Sequence, residues 1–292
     1  MIKYLEELFE AFKVSLLPEW LNGEYSEINL VEPPKIMPFF NSKNKFAILI
    51  GIDYLNDKNA RLDGCVSDAY NLKKVLIEKF GFEKKNILMI VDDPKNKIKP
   101  TKANIINQLK NLVNKTKNLK DSSIFISYSG HGAQIRDRNN DEKDGKDEVW
   151  IPLDYRKGII TDDQFRSVFL NQLKGNANCV ILSDSCHSGT YCDCCFQYDN
   201  NKNYVQINKL LPNKNANVLV ISGCRDHQTA QEVSVDGLIQ GAMTYSFIQS
   251  CSKEKDFEGL VRDMNGVCRR LKLQQIPTLT TSNKTCAKLN VC

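Results

Sequence analysis

The sequence predicts an α/β fold in which a mostly parallel central sheet is flanked by helices on both faces. Short apolar runs of strand character alternate with amphipathic helical patterns from about residue 45 onward. These runs are apolar at successive positions, as expected for parallel strands that are buried on both faces. The chain has 292 residues, of which 41% are hydrophobic, and this suffices for one domain of this kind.

The predicted elements follow a β-α-β rhythm along the chain. Strands are predicted at residues 46–52, 87–91, 124–127, 179–182 and 218–221. Helices are predicted at residues 67–80, 101–119, 161–173, 241–250 and 256–273. Ser67 is a candidate N-cap of the first helix, and Thr161-Asp-Asp-Gln164 has the pattern of a capping box for the third. The Asn- and Lys-rich stretch 192–217 is predicted to be a polar, mobile loop.

The composition excludes several classes of protein. The net charge of +5 is spread along the chain, without the dense basic patch of a nucleic-acid binder. There is no run of about 18 apolar residues, so no membrane-spanning helix is expected. The first 20 residues place acids between apolar side chains at helical spacing, unlike an export signal. Eleven cysteines without a sign of secretion predict reduced thiols and a cytoplasmic location.

A histidine and a cysteine each follow directly after a predicted strand. His131 ends the run Ser127-Tyr-Ser-Gly-His131, and Cys186 lies 55 residues later in Leu182-Ser-Asp-Ser-Cys186. Ligands of parallel sheets bind beyond the carboxyl ends of the strands, so the two side chains can meet there. Because an imidazole activates a thiol for attack on an amide, the pair predicts peptide-bond hydrolysis. The backbone N–H groups of Gly132 and Cys186 are the candidate oxyanion hole.

Either residue alone has a plainer explanation. Cys186 is one of eleven thiols and is consistent with a buried core cysteine, and His131 is consistent with a hydrogen-bonded turn histidine. His187 neighbours the nucleophile and His227 lies in a polar stretch, so both are weaker candidates for the base. For the whole chain, the alternative function is a catalytically silent scaffold that acts by binding partners. The intact pair of His131 and Cys186 argues against that alternative.

Four motifs occur in a defined order along the chain. They are Tyr128-Ser-Gly-His-Gly-Ala-Gln134, Asp184-Ser-Cys-His-Ser-Gly189, Ser222-Gly-Cys-Arg-Asp-His-Gln-Thr229 and Gly241-Ala-Met-Thr-Tyr-Ser-Phe247. Between about residue 45 and about residue 280 the chain resembles a metacaspase, a caspase-related cysteine peptidase, of type I. The resemblance implies a caspase-like three-layer sandwich. It divides the chain into an N-terminal arm at 1–44 and a catalytic domain at 45–292, with a large-subunit-like part at about 45–200 and a small-subunit-like part at about 215–292.

Two aspartates are candidates for binding a basic side chain of the substrate. Carboxylates hold a guanidinium best; Asp184 stands two residues before the cysteine, and Asp68 begins a helix on the same edge of the sheet. The resemblance implies that Cys65, Asp68, Ser129 and Asp184 line a specificity pocket. It therefore implies protein or peptide substrates with Arg or Lys before the scissile bond. Alternatively, Asp68 caps a helix and Asp184 accepts hydrogen bonds from loop amides.

A carboxylate-rich stretch at residues 137–148 is followed by the acidic pair Asp162-Asp163. Ca²⁺ collects six to eight oxygen ligands, often from several carboxylates. An EF-hand is excluded, because with Gly145 in the glycine position the twelfth position is Ile151 where a Glu is required. The resemblance implies calcium activation with Asp147, Asp162 and Asp163 as ligands, and we add Glu148. The alternative is a solvated acidic turn with acids at a helix N-terminus.

The stretch that follows Cys186 contains two further groups of interest. Cys192, Cys194 and Cys195 predict a zinc-binding module as a second alternative, although no second cluster has the familiar ligand spacing. A disulfide between this group and Cys186 is a separate redox hypothesis. If the enzyme cleaves after basic residues, the exposed lysines of this stretch are candidate self-cleavage sites. They are Lys202, Lys209 and Lys214.

Overall fold

Residues 36–292 form one unit of the chain, which therefore includes the last nine residues of the predicted arm. The structure is a computed structural model and describes residues 39–137, 145–174, 176–185, 192, 194–198, 203–207, 216–223, 232–235, 238–251 and 255–291. The described strands are β1 (Lys45–Gly51), β2 (Ile87–Val91), β3 (Asp121–Ser129), β4 (Gly132–Arg136), β5 (Lys146–Trp150), β6 (Ile160–Thr161), β7 (Asn176–Asp184), β8 (Phe196–Tyr198), β9 (Tyr204–Gln206), β10 (Ala216–Ser222), β11 (Glu232–Val235), β12 (Leu238–Gly241) and β13 (Thr278–Thr281). The described helices are α1 (Cys65–Glu78), α2 (Lys102–Thr116), α3 (Asp162–Val168), α4 (Ala242–Ser250) and α5 (Phe257–Arg270).

A central sheet of eight strands has the order β2-β1-β3-β7-β10-β13-β8-β9. The five strands from β2 to β10 are parallel, and β13, β8 and β9 extend the sheet in antiparallel fashion. Parallel strands require crossovers, which α1 and α2 supply in the first half of the chain. The prediction of a mostly parallel sheet is therefore confirmed.

Two apolar clusters cover the two faces of this sheet. Alternate residues of each strand point to opposite faces, so Leu49 and Phe125 pack with α1, α4 and α5, whereas Ile48 and Ile126 pack with α2 and α3. All four side chains are at most 2% exposed. The result is the three-layer arrangement that the sequence predicts, with helices on both faces.

Two small antiparallel sheets were not predicted. One consists of β4, β5 and β6, and the other is the β11–β12 hairpin. The sequence of β5 begins Lys146-Asp-Glu, and this polar start hides a strand whose last four residues are buried. Both small sheets follow the carboxyl ends of central strands, and they contribute to the walls of the site described below.

The stretch 192–217 was wrongly predicted to be a loop throughout. Its described residues include β8 and β9, which form the last two strands of the sheet. Tyr198 and Tyr204 face each other across this pair, with ring centroids 5.5 Å apart, and the Tyr204 hydroxyl donates to Glu258. These strands were missed because Asn and Lys, which are frequent in this stretch, are depleted in strands. Their aromatic residues favour the strand conformation at half-buried positions even when the neighbours are polar.

Two local predictions also need correction. The first helix begins at Cys65 with Gly64 as its N-cap, so Ser67 is not the cap. Phe39 and Phe40 precede the predicted domain start at residue 45, yet they are at most 3% exposed and belong to the core. Phe39 packs edge-on against Phe257, at a centroid distance of 5.1 Å. Thr161 does cap the third helix, by accepting a hydrogen bond from the Gln164 amide.

Candidate active site

The register of two central strands relates the candidate histidine to the candidate cysteine. Ser129 ends β3, Asp184 ends β7, and these two residues are partners in the parallel ladder. His131 and Cys186 each follow by two residues, although Cys186 lies outside the described residues. Neighbouring strands are about 4.8 Å apart. The two chain segments therefore leave the same edge of the sheet side by side.

The His131 ring has a defined hydrogen-bond partner. Its Nε2 lies 2.8 Å from the backbone carbonyl oxygen of Ala60, in the loop between β1 and α1. A carbonyl oxygen only accepts hydrogen bonds, so Nε2 must bear the proton. In the neutral ring Nδ1 is then the acceptor. Ala60 was not predicted from the sequence, because any residue supplies a carbonyl.

The four residues implied by the resemblance to line a specificity pocket come together. The Ser129 hydroxyl donates to Asp68 Oδ2 at 2.6 Å, and the Cys65 thiol is hydrogen-bonded to Ser129. Asp68 Oδ1 accepts from the Gly241 amide at 2.9 Å, and Asp184 Oδ2 accepts from the Thr244 amide at 2.9 Å. Asp68 and Asp184 are both at most 4% exposed. The structure therefore brings together two buried carboxylates that are held by backbone and hydroxyl donors.

Gly241 lies between the two carboxylates, and no sequence pattern marks it as a pocket residue. A Cβ on Gly241 would stand 2.2 Å from Asp184 Oδ2 and 2.6 Å from Asp68 Oδ2. Real Cβ atoms do not approach oxygens so closely. A glycine is therefore required at the end of β12 for its backbone to pass between the acids.

Burial sets the protonation of this pair. It raises the pKa of Asp68 well above its usual range, and the nearby charge of Asp184 adds to the effect. Burial raises the pKa of Asp184 from 3.8 to about 6, although hydrogen bonds from Thr244 oppose the shift. Two carboxylates this close do not both ionise readily without a cation. Burial and mutual repulsion therefore both favour protonation of this pair, and a cationic partner would favour its ionised form.

Two further acids surround the pocket and were not predicted. Asp53 Oδ1 accepts from the Cys65 and Val66 amides at the start of α1, and burial raises the pKa of Asp53 to about 6. Glu232 Oε1 accepts from the Asp63 and Gly64 amides, which ties β11 to the loop before α1. The charge of Glu232 raises the pKa values of both Asp53 and Asp184. These acids deepen the negative potential at the carboxyl edge of the sheet.

The candidate calcium ligands lie where β5 meets the first turn of α3. Asp147, Glu148 and Asp162 are at most 5% exposed, and Asp163 is half-buried. Asp162 accepts from the Glu148 and Asp163 amides, and Glu148 Oε1 accepts from the Gln134 amide group. Asp147 and Glu148 are consecutive on a strand, so their side chains leave opposite faces. No group of three or more His, Cys, Asp or Glu in the described part of the chain is arranged as a metal-binding set.

The described cysteines that follow Cys186 are buried. Cys192 and Cys194 are at most 5% exposed and pack, with Cys179, into the apolar cluster beneath α2 and α3. Cys195 is also buried. Cys186, the further thiol of the zinc-binding alternative, lies outside the described residues, so that alternative stays a prediction. His187, His227 and the three candidate cleavage lysines lie outside the described residues.

Within the described ranges, no helix has the length and apolar character needed to cross a lipid bilayer.

Comparison with known proteins identifies the family. The metacaspase peptidase C14 domain model matches residues 45–195. Metacaspase-1A of Aspergillus oryzae is 31% identical and its match covers 81% of this chain and 67% of that relative. Metacaspase-1 of Cryptococcus neoformans is 32% identical, covering 82% of this chain and 62% of the relative. A crystal structure of a Geobacter sulfurreducens protein shares the fold, with a TM-score of 0.60, 22% identity and coverage of 85% of this chain and 97% of that one. The chain, which spans 62% to 67% of the length of these curated relatives, belongs to the metacaspase family of cysteine-type peptidases.

Proposed function

We propose that this chain is a cysteine endopeptidase that cleaves proteins after Arg or Lys, with Cys186 as nucleophile and His131 as general base. The observation that best supports the proposal is the pairing of Ser129 with Asp184 at the ends of β3 and β7. This pairing starts the histidine and cysteine segments side by side. Asp184 belongs to this pair and the Ser129 hydroxyl donates to Asp68, so both acids lie at the edge of the sheet from which these segments leave.

The hydrogen bond to Ala60 prepares His131 for proton transfer. Nε2–H donates to the carbonyl oxygen, so Nδ1 is the atom that accepts the thiol proton as sulfur attacks the substrate carbonyl. The same proton then passes to the leaving amine, whose C–N bond breaks. The Gly132 and Cys186 amides would stabilise the oxyanion; losing one such donor costs about 3–4 kcal/mol in other enzymes. Water then hydrolyses the thioester, with His131 again as base.

The acid pair accounts for the proposed preference for basic side chains. A guanidinium or ammonium that enters the pocket meets Asp68 and Asp184, and its charge favours ionisation of both. An acidic side chain would meet like charge at a desolvated site, which is strongly unfavourable. Lys202, Lys209 and Lys214 are then candidate points of self-cleavage.

Calcium stimulation is the second part of the proposal. Burying several carboxylates at one junction is costly unless hydrogen bonds or a cation compensate for lost hydration. In their described positions, no three of these acids are arranged as a metal-binding set, so calcium binding would require a rearrangement at this junction. Asp162 and Asp163, with one acid of β5, would then supply oxygen ligands of the kind that Ca²⁺ prefers. Because Asp147 and Glu148 leave opposite faces, one ion engages only one of them unless β5 rearranges. The ladder between β5 and β4 pairs Trp150 with Gly132, so an ion at this junction would order the segment beside His131.

The proposal is tested by hydrolysis of matched fluorogenic peptides ending in Arg, Lys or Asp, with and without millimolar Ca²⁺. The enzymes are the wild type, Cys186→Ala and His131→Ala. We expect cleavage of the Arg and Lys peptides only, dependent on both residues and increased by Ca²⁺. Absence of cleavage of every peptide under all conditions would favour the silent scaffold. Cleavage that survives Cys186→Ala would refute the assigned nucleophile.

A further inference from the structure

Two tyrosine hydroxyls form hydrogen bonds with the backbone N–H and C=O groups of His131. The Tyr54 hydroxyl accepts from the His131 amide at 3.1 Å, and the Tyr128 hydroxyl donates to the His131 carbonyl oxygen at 2.7 Å. The Tyr54 hydroxyl donates in turn to the Ile151 carbonyl oxygen at 2.6 Å, just after β5. The histidine backbone is thus fixed between the end of β1, the end of β3 and the end of β5.

Tyr54 also contacts the imidazole itself. Its ring centroid lies 4.9 Å from that of His131, with an interplanar angle of 36°. The ring of Tyr128 stacks instead on Trp150, with centroids 4.5 Å apart and the two planes nearly parallel. Of the two tyrosines, Tyr54 is therefore the one whose ring limits rotation of the imidazole.

The backbone of Tyr54 begins the loop that supplies the partner of Nε2. The Asp57 amide donates to the Tyr54 carbonyl oxygen, and the Ala60 amide donates to the Asp57 carbonyl oxygen. These two turns lead from Tyr54 to the carbonyl oxygen that accepts from His131. One residue therefore supports the histidine from two directions, through its side chain and through its main chain.

The conformation of Tyr54 is unusual. Its φ is +51°, in the left-handed region that residues other than glycine rarely occupy, and its side chain is 1% exposed. Such a conformation costs free energy and persists where the surrounding contacts determine it. Glycine would adopt this φ without strain, yet the residue here is a tyrosine. The contacts of its ring and hydroxyl therefore offset the conformational cost.

The neighbouring glycine fits the same arrangement. A Cβ on Gly130 would stand 2.9 Å from the Tyr128 hydroxyl and 3.3 Å from the Tyr54 hydroxyl. The absence of a side chain at Gly130 therefore leaves room for both hydroxyls to approach the His131 backbone.

Burial raises the pKa of Tyr54. Its hydroxyl therefore stays protonated around neutral pH and keeps its hydrogen bond to the Ile151 carbonyl oxygen.

We propose that Tyr54 is a positioning residue that holds the His131 imidazole in the plane and tautomer required for proton transfer with Cys186. The inference rests on the proposed role of His131 as general base. Tyr54 itself exchanges no proton with the substrate. It acts by fixing the ring against the Ala60 carbonyl, so that Nδ1 presents its lone pair in one direction. Because the ring and the hydroxyl act separately, their contributions can be separated by substitution.

The test compares Tyr54→Phe, which keeps the ring, with Tyr54→Leu, which removes ring and hydroxyl. Tyr204→Phe is the matched control, because it removes a hydroxyl that donates to Glu258 in another part of the fold. His131→Ala is the reference for loss of the base. For each full-length variant we would measure kcat and KM on an Arg peptide over a range of pH, corrected for the folded fraction from thermal melting. A second measurement is the rate of alkylation of Cys186 by iodoacetamide against pH, followed by mass spectrometry of its peptide.

We expect Tyr54→Phe to lower kcat about 10-fold and Tyr54→Leu about 100-fold, with KM within twofold, because small misplacements of a reacting group are costly and the acidic pocket is untouched. Both should shift the pH profile of Cys186 alkylation toward that of His131→Ala, and Tyr204→Phe should not. The inference would be overturned if Tyr54→Phe and Tyr54→Leu had the kcat and the alkylation rate of the wild type, or if their losses of activity matched their unfolded fractions. Either result would leave the proposed roles of His131 and Cys186 unaffected. Full activity in His131→Ala would instead overturn the proposed base, and with it the inference.

Discussion

Above neutral pH, the Asp184→Asn variant should have a larger free energy of unfolding than the wild type. The same substitution should abolish most cleavage after basic residues. The folded-state pKa of Asp184 is raised from 3.8 to about 6 by burial, and its side chain is 4% exposed. A group with a raised folded pKa contributes stability that is present below pH 3.8 and is lost as the pH rises through about 6. The wild type therefore loses the contribution of Asp184 to its unfolding free energy over this pH window. The Asp184→Asn variant has no such contribution to lose.

The magnitude follows from the shift. About two pKa units correspond to about 3 kcal/mol of unfolding free energy at full ionisation. Asparagine retains an oxygen that can accept from the Thr244 amide, so the hydrogen bond at 2.9 Å need not be lost. The neutral side chain of the Asp184→Asn variant would also lower the repulsion felt by Asp68, which changes the stability in the same direction. The advantage of the variant over the wild type should therefore grow by about 2 kcal/mol between pH 4.5 and pH 8, because about 1 kcal/mol of the effect already develops below pH 4.5.

Urea unfolding at several pH values measures this difference. Both proteins should contain Cys186→Ala, so that self-cleavage does not distort the transitions. Asp57→Asn is a control in which stability should depend on pH in the opposite direction. The Tyr155 hydroxyl lowers the pKa of Asp57, so the contribution of Asp57 to the unfolding free energy is present at pH 8 and is lost in acid. In the active background, Asp184→Asn should lower kcat/KM for an Arg peptide about 100-fold. A stability difference that stays constant within about 0.5 kcal/mol across the pH range would refute the argument from burial.

Three other substitutions test separate parts of the molecule. Gly241→Ala should lower kcat/KM for Arg peptides about 100-fold, because its Cβ would stand 2.2 Å from Asp184 Oδ2; activity within twofold of the wild type would contradict the close approach. Phe39→Ala should cost about 3–5 kcal/mol in urea unfolding, since this ring is fully buried against Phe257, and a cost below about 1 kcal/mol would place Phe39 outside the core. Asp162→Asn should raise the Ca²⁺ concentration for half-maximal activity at least about 10-fold with little change in the maximum, because it removes one buried charge of the proposed site; an unchanged Ca²⁺ response would remove Asp162 from it.

The central strands could be predicted because their signal is local. The strand 87–91 was predicted with the bounds that β2 has, and β1, β3, β7 and β10 lie around their predicted positions. Each is a run of apolar residues buried on both faces, so the pattern reports the environment directly. The small sheets were missed since their strands are short and partly polar. Glu148, for example, is 1% exposed although its sequence context is typical of a solvated turn.

The candidate site divides in a similar way. His131 and Cys186 could be singled out because each directly follows an apolar run of strand character. Asp68 and Asp184 were candidates from carboxylate chemistry and position, and the family resemblance implied that they line a pocket. The Ala60 carbonyl oxygen could not be found, since it is a backbone atom that no sequence motif specifies. Gly241 was quoted only as the start of a motif. Its function follows from a distance between three chain segments, which only the folded structure provides.

The same edge of the sheet concentrates groups that are unfavourable for folding. Asp53, Asp68 and Asp184 have raised pKa values there, and Tyr54 occupies a left-handed conformation within the same loops. Each lowers the stability of the folded protein, and under the proposed function each serves to bind a cationic side chain or to orient the imidazole. A substrate cation that enters the pocket restores part of the lost electrostatic energy, so binding and stability are linked. The arrangement therefore predicts that a competitive inhibitor with an Arg side chain raises the melting temperature of Cys186→Ala, but raises it less in Cys186→Ala with Asp184→Asn.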